Sequence, residues 1–147
     1  MGGNAARFTI SATVLGAPDP RALAEFYQRL LGWERVWNEP DWVMLRPSTG
    51  KPGLSFQLET DHVPPVWPAG PGDQQMQFHL DIGVDDLDAG CSHAEACGAT
   101  RAAFQPQAEG PGERVIVLLD PAGHPFCLFP DAEAQVNEDG SAGTSTA

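Results

Sequence analysis

The sequence predicts an α+β protein in which two tandem βαβββ modules form a curled mixed sheet that encloses a cup, with the helices on the outside. Two observations support this prediction. The order of one strand, one helix and three strands occurs twice, and the two predicted helices have matching ends: Asp19 lies thirteen residues before Gly32, and Asp85 lies thirteen before Gly98. Repetition at a fixed period is typical of duplicated structural units.

The first predicted module spans residues 8–59. Its first strand, 8–15, is rich in β-branched residues. Asp19 and Pro20 then predict a helix start, because Asp accepts hydrogen bonds from free amides and Pro fits the first turn. Gly32 ends the helix. The remaining strands of this module are predicted at 33–37, 42–46 and 54–59.

A linker at 60–74 contains four prolines and separates the two modules. The second module, 75–130, is predicted to hold a strand at 75–84 and a helix that starts at Asp85 or Asp86 and ends at Gly98. Its last strands are predicted at 101–104, 114–119 and 125–129. Residues 1–7 are predicted to be a flexible N-terminus and 131–147 a flexible acidic tail, because neither has apolar periodicity.

Alternation along the strands predicts which side chains line the cup. Apolar residues at every second position mark the buried face, so the residues between them face the other way. Trp67, in the linker, is predicted to form a flap over the cup. The residues expected on the concave face are Ala12, Ser55, Gln57, Glu59, Gln77, His79, Asp81 and Cys127.

The net charge of the chain limits the classes of partner that it can bind. The net charge is −12, from 20 acidic and 8 basic residues, which excludes nucleic acid because phosphates require a basic surface. An acidic cup with aromatic walls would suit a cationic or aromatic small molecule. No apolar run reaches the length of a membrane span, and the first residues do not resemble a secretion signal, so we expect a cytoplasmic protein without membrane partners.

Three segments carry a family resemblance: FYQRLLGW, QFHLDIGVDDLDAG and LLDPAGHPFCLF. In this order and spacing they resemble the vicinal oxygen chelate superfamily, and most closely its glyoxalase-like and bleomycin-resistance-like branch. That superfamily also includes dioxygenases. The resemblance covers about residues 8–130 and implies the two-module fold, a small-molecule ligand and a homodimer.

The resemblance also implies four metal-ligand positions, occupied here by Ala12, Gln57, His79 and Cys127. Only His79 is the residue type usual at its position; a His is usual in place of Ala12, and Glu in place of Gln57 and Cys127. We therefore expect no cofactor and no complete metal site. The alternative is a divalent metal held by His79, Gln57 and Cys127.

Four functions remain open from the sequence. The first is a protein that binds a small organic molecule without catalysis. The second is a lyase, isomerase or cyclase that transfers protons through His79, paired with Asp81 or Gln57. The third is an atypical metal-dependent lyase or dioxygenase, and the fourth is a structural or regulatory protein with an empty cup.

Overall fold

The computed structural model describes residues 6–106 and 114–134 and contains both βαβββ modules. The α+β class and the duplicated element order are confirmed. The first module consists of β1 (Ala12–Ala17), α1 (Pro20–Leu31), β2 (Glu34–Glu39), β3 (Trp42–Arg46) and β4 (Gly53–Leu58). The second consists of β5 (Leu80–Val84), α2 (Leu87–Cys97), β6 (Thr100–Arg101), β7 (Ile116–Leu119) and β8 (Pro125–Pro130).

The two modules have the same sheet topology. The first sheet has the strand order β1-β4-β3-β2, and the second has the order β5-β8-β7-β6. In each sheet the first strand pairs in parallel with the last, and the other pairs are antiparallel. The strands of one chain thus form two separate sheets where the sequence led us to expect a single curled sheet.

Both helices end where their capping residues predict. Asp19 accepts a hydrogen bond of 3.2 Å from the amide three residues on, and Gly32 closes α1 with a φ of 74°, a value that favours glycine. Helix α2 is capped in the same way by Asp86 and Gly98, so its first cap is Asp86 and not Asp85.

The strands predicted at 8–15 and 75–84 begin later than expected, because a strand forms only where an adjacent strand pairs with its backbone. β1 pairs with β4 only from Ala12 onward, and within the described residues no strand pairs with 6–11. β5 pairs with β8 from Leu80 onward. β8 itself starts at Pro125, which has no amide hydrogen to extend the ladder.

The strand predicted at 101–104 is reduced to β6, because a side chain takes its place beside β7. The Gln105 side chain donates a hydrogen bond of 2.9 Å to the Val117 carbonyl and accepts one of 2.8 Å from the Val117 amide. One side-chain amide therefore satisfies the backbone groups that a longer strand would have paired. Of the predicted flexible ends, 1–5 and 135–147 lie outside the described residues, and 132–134 form a single 3₁₀ turn.

Helix α1 packs against the first sheet and also reaches the second. Tyr27 stacks on Phe56 of β4 with ring centroids 5.7 Å apart, and Phe26 lies 6.0 Å from Phe126 of β8. All four aromatic side chains are essentially buried. The two modules therefore share one hydrophobic core, and the opposite face of each sheet points away from that core.

A buried polar contact also joins the modules. The Tyr27 hydroxyl donates a hydrogen bond of 2.7 Å to Asp120, which lies in the turn between β7 and β8. The Asp120 carboxylate also accepts from the amides of Ala122 and His124 and from the His124 ring. Burial, followed by the charge and hydrogen bond of Asp120, raises the pKa of Tyr27.

We predict that Tyr27→Phe lowers the free energy of unfolding by about 1–3 kcal/mol, because Asp120 loses a buried donor while the ring packing is kept. Urea denaturation of both proteins measures the difference. As a control, Asn38→Ala removes exposed hydrogen bonds to Arg21 and Arg35 and should change stability by less than about 0.5 kcal/mol. Equal stability of Tyr27→Phe and wild type would contradict this role of the contact.

Candidate functional site

Three polar side chains meet on the face of the second sheet that points away from the core. His79, Asp81 and Cys127 each place one donor atom within 4.8 Å of the other two. His79 Nε2 lies 3.2 Å from an Asp81 carboxylate oxygen, and Asp81 accepts a hydrogen bond from the Cys127 thiol. We call these three residues the polar trio.

The strand register holds the polar trio in place. Asp81 on β5 and Cys127 on β8 are direct partners in the parallel ladder, so their side chains emerge side by side. The residues on either side of Cys127, Phe126 and Leu128, are buried in the shared core. His79 directly precedes β5 and lies outside the ladder. The three side chains therefore share one face of the sheet, as the alternation in the sequence predicts.

The Cys127 thiol is not an activated nucleophile. Burial raises its pKa, and the charge and hydrogen bond of Asp81 raise it further. The thiol is therefore protonated near neutral pH, whereas a catalytic cysteine requires a lowered pKa. Cys91 and Cys97 are buried on α2, and burial also raises the pKa of Cys91.

The first sheet carries a second candidate surface, formed mainly by tryptophans. Trp42 on β3 pairs with Gln57 on β4, and Trp37 on β2 pairs with Met44 on β3. Paired residues point to the same side, so these side chains share the face opposite the core. Trp37 is 54% exposed, which is unusual for so large an apolar side chain. We call this surface the tryptophan face.

Trp37 and Trp42 were not among the site residues predicted from the sequence. The alternation in 42–46, where Val43 and Leu45 are buried and their neighbours are not, contained the signal for Trp42. Trp37 could not have been placed in the same way, because the register of β2 shifts between Arg35 and Trp37.

The other predicted site residues of the first module differ in their exposure to solvent. Ala12 on β1 is partly exposed, Ser55 is buried, and Gln57 and Glu59 are exposed. Among residues 6–106 and 114–134, no hydrogen bond or ion pair joins any of these four to the polar trio. The two candidate surfaces lie on separate sheets of the chain.

The two remaining predicted residues precede or flank the second sheet. Gln77 is exposed just before β5. Trp67 donates a hydrogen bond of 3.3 Å from its ring nitrogen to the Phe104 carbonyl, and the two rings meet edge to face at 6.2 Å. The linker is thereby anchored to the second module.

A cavity of about 480 Å³ lies elsewhere, between the start of α1, the linker and the turn after β7. The His62 ring lies beside this cavity, donates a hydrogen bond of 2.8 Å to the Ala122 carbonyl and sits 5.1 Å from the His124 ring. His124 in turn bonds to Asp120. Both imidazoles therefore hold the turn and the linker together, and apolar side chains form most of the cavity wall.

The four metal positions implied by the family resemblance do not fit one metal site in this chain. Ala12 has no donor atom, and Gln57 offers only a neutral amide on the other sheet. His79 and Cys127 do lie together, and the carboxylate beside them belongs to Asp81, which the resemblance did not assign to a metal.

The sequence pattern of the glyoxalase-like domain matches residues 12–129 of the chain. This protein belongs to the glyoxalase-like domain family. The membership confirms the resemblance to the vicinal oxygen chelate superfamily. No curated protein matches the chain in sequence.

Solved structures of this glyoxalase-like group share the fold. A glyoxalase/bleomycin resistance protein/dioxygenase family enzyme from Burkholderia phytofirmans PsJN has a TM-score of 0.62 at 23% identity, with 84% of this chain and 98% of that chain covered. The bleomycin resistance determinant encoded on transposon Tn5 has a TM-score of 0.56 at 22% identity, with 82% and 96% covered. A bleomycin-binding protein complexed with bleomycin has a TM-score of 0.55 at 21% identity, with 85% and 99% covered.

Neither helix within the described part of this glyoxalase-like chain is long and apolar enough to cross a membrane.

We predict that Asp81→Asn lowers the pKa of Cys127, because it removes the negative charge that opposes thiolate formation. The pH at which Cys127 is half-alkylated by iodoacetamide should shift downward. Mass spectrometry of the Cys127 peptide, in the presence of a chelator, measures the rate at each pH. Asp85→Asn, which removes an exposed charge outside this contact, serves as the control. An unchanged profile in Asp81→Asn would show that burial alone sets the pKa.

Proposed function

We propose that this protein binds a small organic molecule, cationic or aromatic in character, in a cup completed by two copies of the chain. The polar trio of one copy and the tryptophan face of the other form the two walls. The observation that supports this proposal is the division of the candidate residues between two outward faces of one chain, one polar and one aromatic. Ligand sites commonly combine an apolar wall with a few polar groups.

The open strand edges support the pairing of two copies. β1 and β5 are edge strands of their sheets, and exposed edges tend to pair with other strands. Large apolar side chains flank both edges: Phe8 and Ile10 precede β1 and are 86% and 75% exposed, and Phe78 precedes β5 and is 87% exposed. Exposed apolar surface of this kind marks an interaction site.

Pairing of β1 with the β5 edge of a second copy would create one sheet in the order β4, β1, partner β5, partner β8. Neighbouring strands lie about 4.8 Å apart, so Gln57 on β4 and the strand of the partner's Cys127 would be separated by about 14 Å. That width accommodates a small organic molecule. A two-fold axis would form two such cups, each backed by a curled sheet of eight strands from both copies.

The net charge of the chain and one of its structural relatives both support a cationic or aromatic ligand. The net charge of −12 attracts cations, and the faces of exposed tryptophans bind cations and flat rings. One of the structural relatives is a bleomycin-binding protein complexed with bleomycin. Bleomycin is therefore the first compound to test, within a panel of cationic aromatic compounds.

We expect at least one compound of this panel to raise the melting temperature, and calorimetric titration then measures its Kd. Trp42→Ala should weaken binding about tenfold or more, equivalent to about 1.4 kcal/mol, because it removes an aromatic wall. Val36→Ala, an exposed apolar change on β2 that has no partner in the β2–β3 register, is the matched control. Stabilisation by no compound, or equal affinity in Trp42→Ala, would contradict the proposal.

A mixed dimer tests whether the two walls come from different chains. Homodimers of His79→Ala and of Trp42→Ala should each bind about tenfold or more weakly, whereas a mixed dimer of the two should regain one full-affinity site per two chains. The reason is that one cup then receives both intact walls. Affinity purification on two different tags isolates the mixed dimer, and titration counts its sites. Light scattering measures whether the protein is dimeric, as the proposal requires. Absence of a restored site would place both walls in one chain.

The second candidate function is proton transfer by an enzyme, which the contact between His79 and Asp81 favours. A carboxylate 3.2 Å from an imidazole can orient the ring for proton transfer. Mass spectrometry of the bound compound after incubation distinguishes the two functions. Recovery of an unchanged compound supports binding alone, whereas conversion that stops in His79→Ala supports catalysis.

A further inference from the structure

The donor set of the polar trio differs from the one that the family resemblance implies. It combines an imidazole nitrogen, a carboxylate oxygen and a sulfur, and all three come from one module. Mg²⁺ and Ca²⁺ prefer oxygen ligands, whereas a thiolate together with imidazole selects a borderline ion such as Zn²⁺. The chemistry of the three donors thus indicates which ion they would hold.

The geometry of the trio is close to that of a three-ligand zinc site. With metal–ligand bonds of about 2.0–2.3 Å, tetrahedral ligands lie about 3.3–3.8 Å from one another. In this chain His79 Nε2 lies 3.2 Å from Asp81 Oδ1, and the three ligand atoms of the trio all lie within 4.8 Å of one another. The ladder fixes Asp81 and Cys127, while His79 lies just outside it and can adjust.

We propose that His79, Asp81 and Cys127 bind one Zn²⁺ ion per chain, within the second module alone. Three protein ligands leave a fourth tetrahedral position open, as in zinc sites that bind a water or a ligand molecule. This position faces outward from the sheet, toward the space assigned to the cup. The inference concerns the same face as the proposed function, but it does not depend on that function, because the ion binds without the organic molecule.

The surroundings of the trio suit a cation. The chain has 20 acidic and 8 basic residues, and within the described residues no Lys or Arg forms an ion pair with Asp81. A positive ion at this place would therefore meet attraction from Asp81 without competition from a paired cationic side chain.

The test is a Zn²⁺ titration of the purified full-length chain after treatment with a chelator, using competition with a chromophoric chelator as readout. We expect one Zn²⁺ per chain. His79→Gln, Asp81→Asn and Cys127→Ser should each weaken binding tenfold or more. Gln57→Ala is the decisive control: it keeps full affinity in a one-module site, whereas a site formed by His79, Gln57 and Cys127 would lose it.

Cobalt substitution supplies a second readout that does not depend on affinity. Co²⁺ bound to a thiolate gives a sulfur-to-metal charge-transfer band, which should vanish in Cys127→Ser and persist in Cys91→Ser and Cys97→Ser. Thermal unfolding checks that each variant is folded. Failure to retain Zn²⁺, unchanged affinity in Cys127→Ser, or loss of affinity in Gln57→Ala would overturn the proposal. Binding of an organic compound in excess chelator would show that the proposed function stands even when the zinc site fails.

Discussion

The contact of helix α1 with both sheets is the constraint on which the arrangement of the candidate site depends. Phe26 and Tyr27 belong to the first module by sequence, but they pack against Phe126 of the second, and the Tyr27 hydroxyl reaches Asp120. Because the core lies between the sheets, the polar trio and the tryptophan face are turned away from it. For this reason the proposed cup takes its two walls from two copies of the chain.

This arrangement explains why a chain with so many apolar side chains at its surface also has a well-packed interior. The core needs only one face of each sheet, so the opposite faces and the β1 and β5 edges are free for other contacts. Phe8, Ile10 and Phe78, the three most exposed large apolar residues described, lie just before those edge strands. Apolar residues clustered beside an open edge differ from the single exposed apolar residues found on most proteins.

Local signals predicted much of the fold. Asp19 and Gly32 marked the ends of α1, because capping depends only on residues within one turn, and alternation placed His79, Asp81 and Cys127 on one face. The division into two sheets could not be predicted, since it depends on the partner that each strand finds. The position of Trp37 could not be predicted either, because a register shift in β2 determines which face of the sheet it lies on. The buried role of Asp120 depends on Tyr27, ninety-three residues away in sequence.

The side chain of Gln105 has a consequence for how far association can proceed. By bonding to both backbone groups of Val117, it occupies part of β7 beside the short strand β6, which discourages strand addition there. The other outer edge, β2, is interrupted by its register shift and carries Glu34, Arg35 and Glu39. Charges and irregularities of this kind discourage strand addition. In the proposed dimer, β1 of each copy pairs with β5 of the other, so a two-fold axis would cover both remaining edges and leave neither for fibre growth.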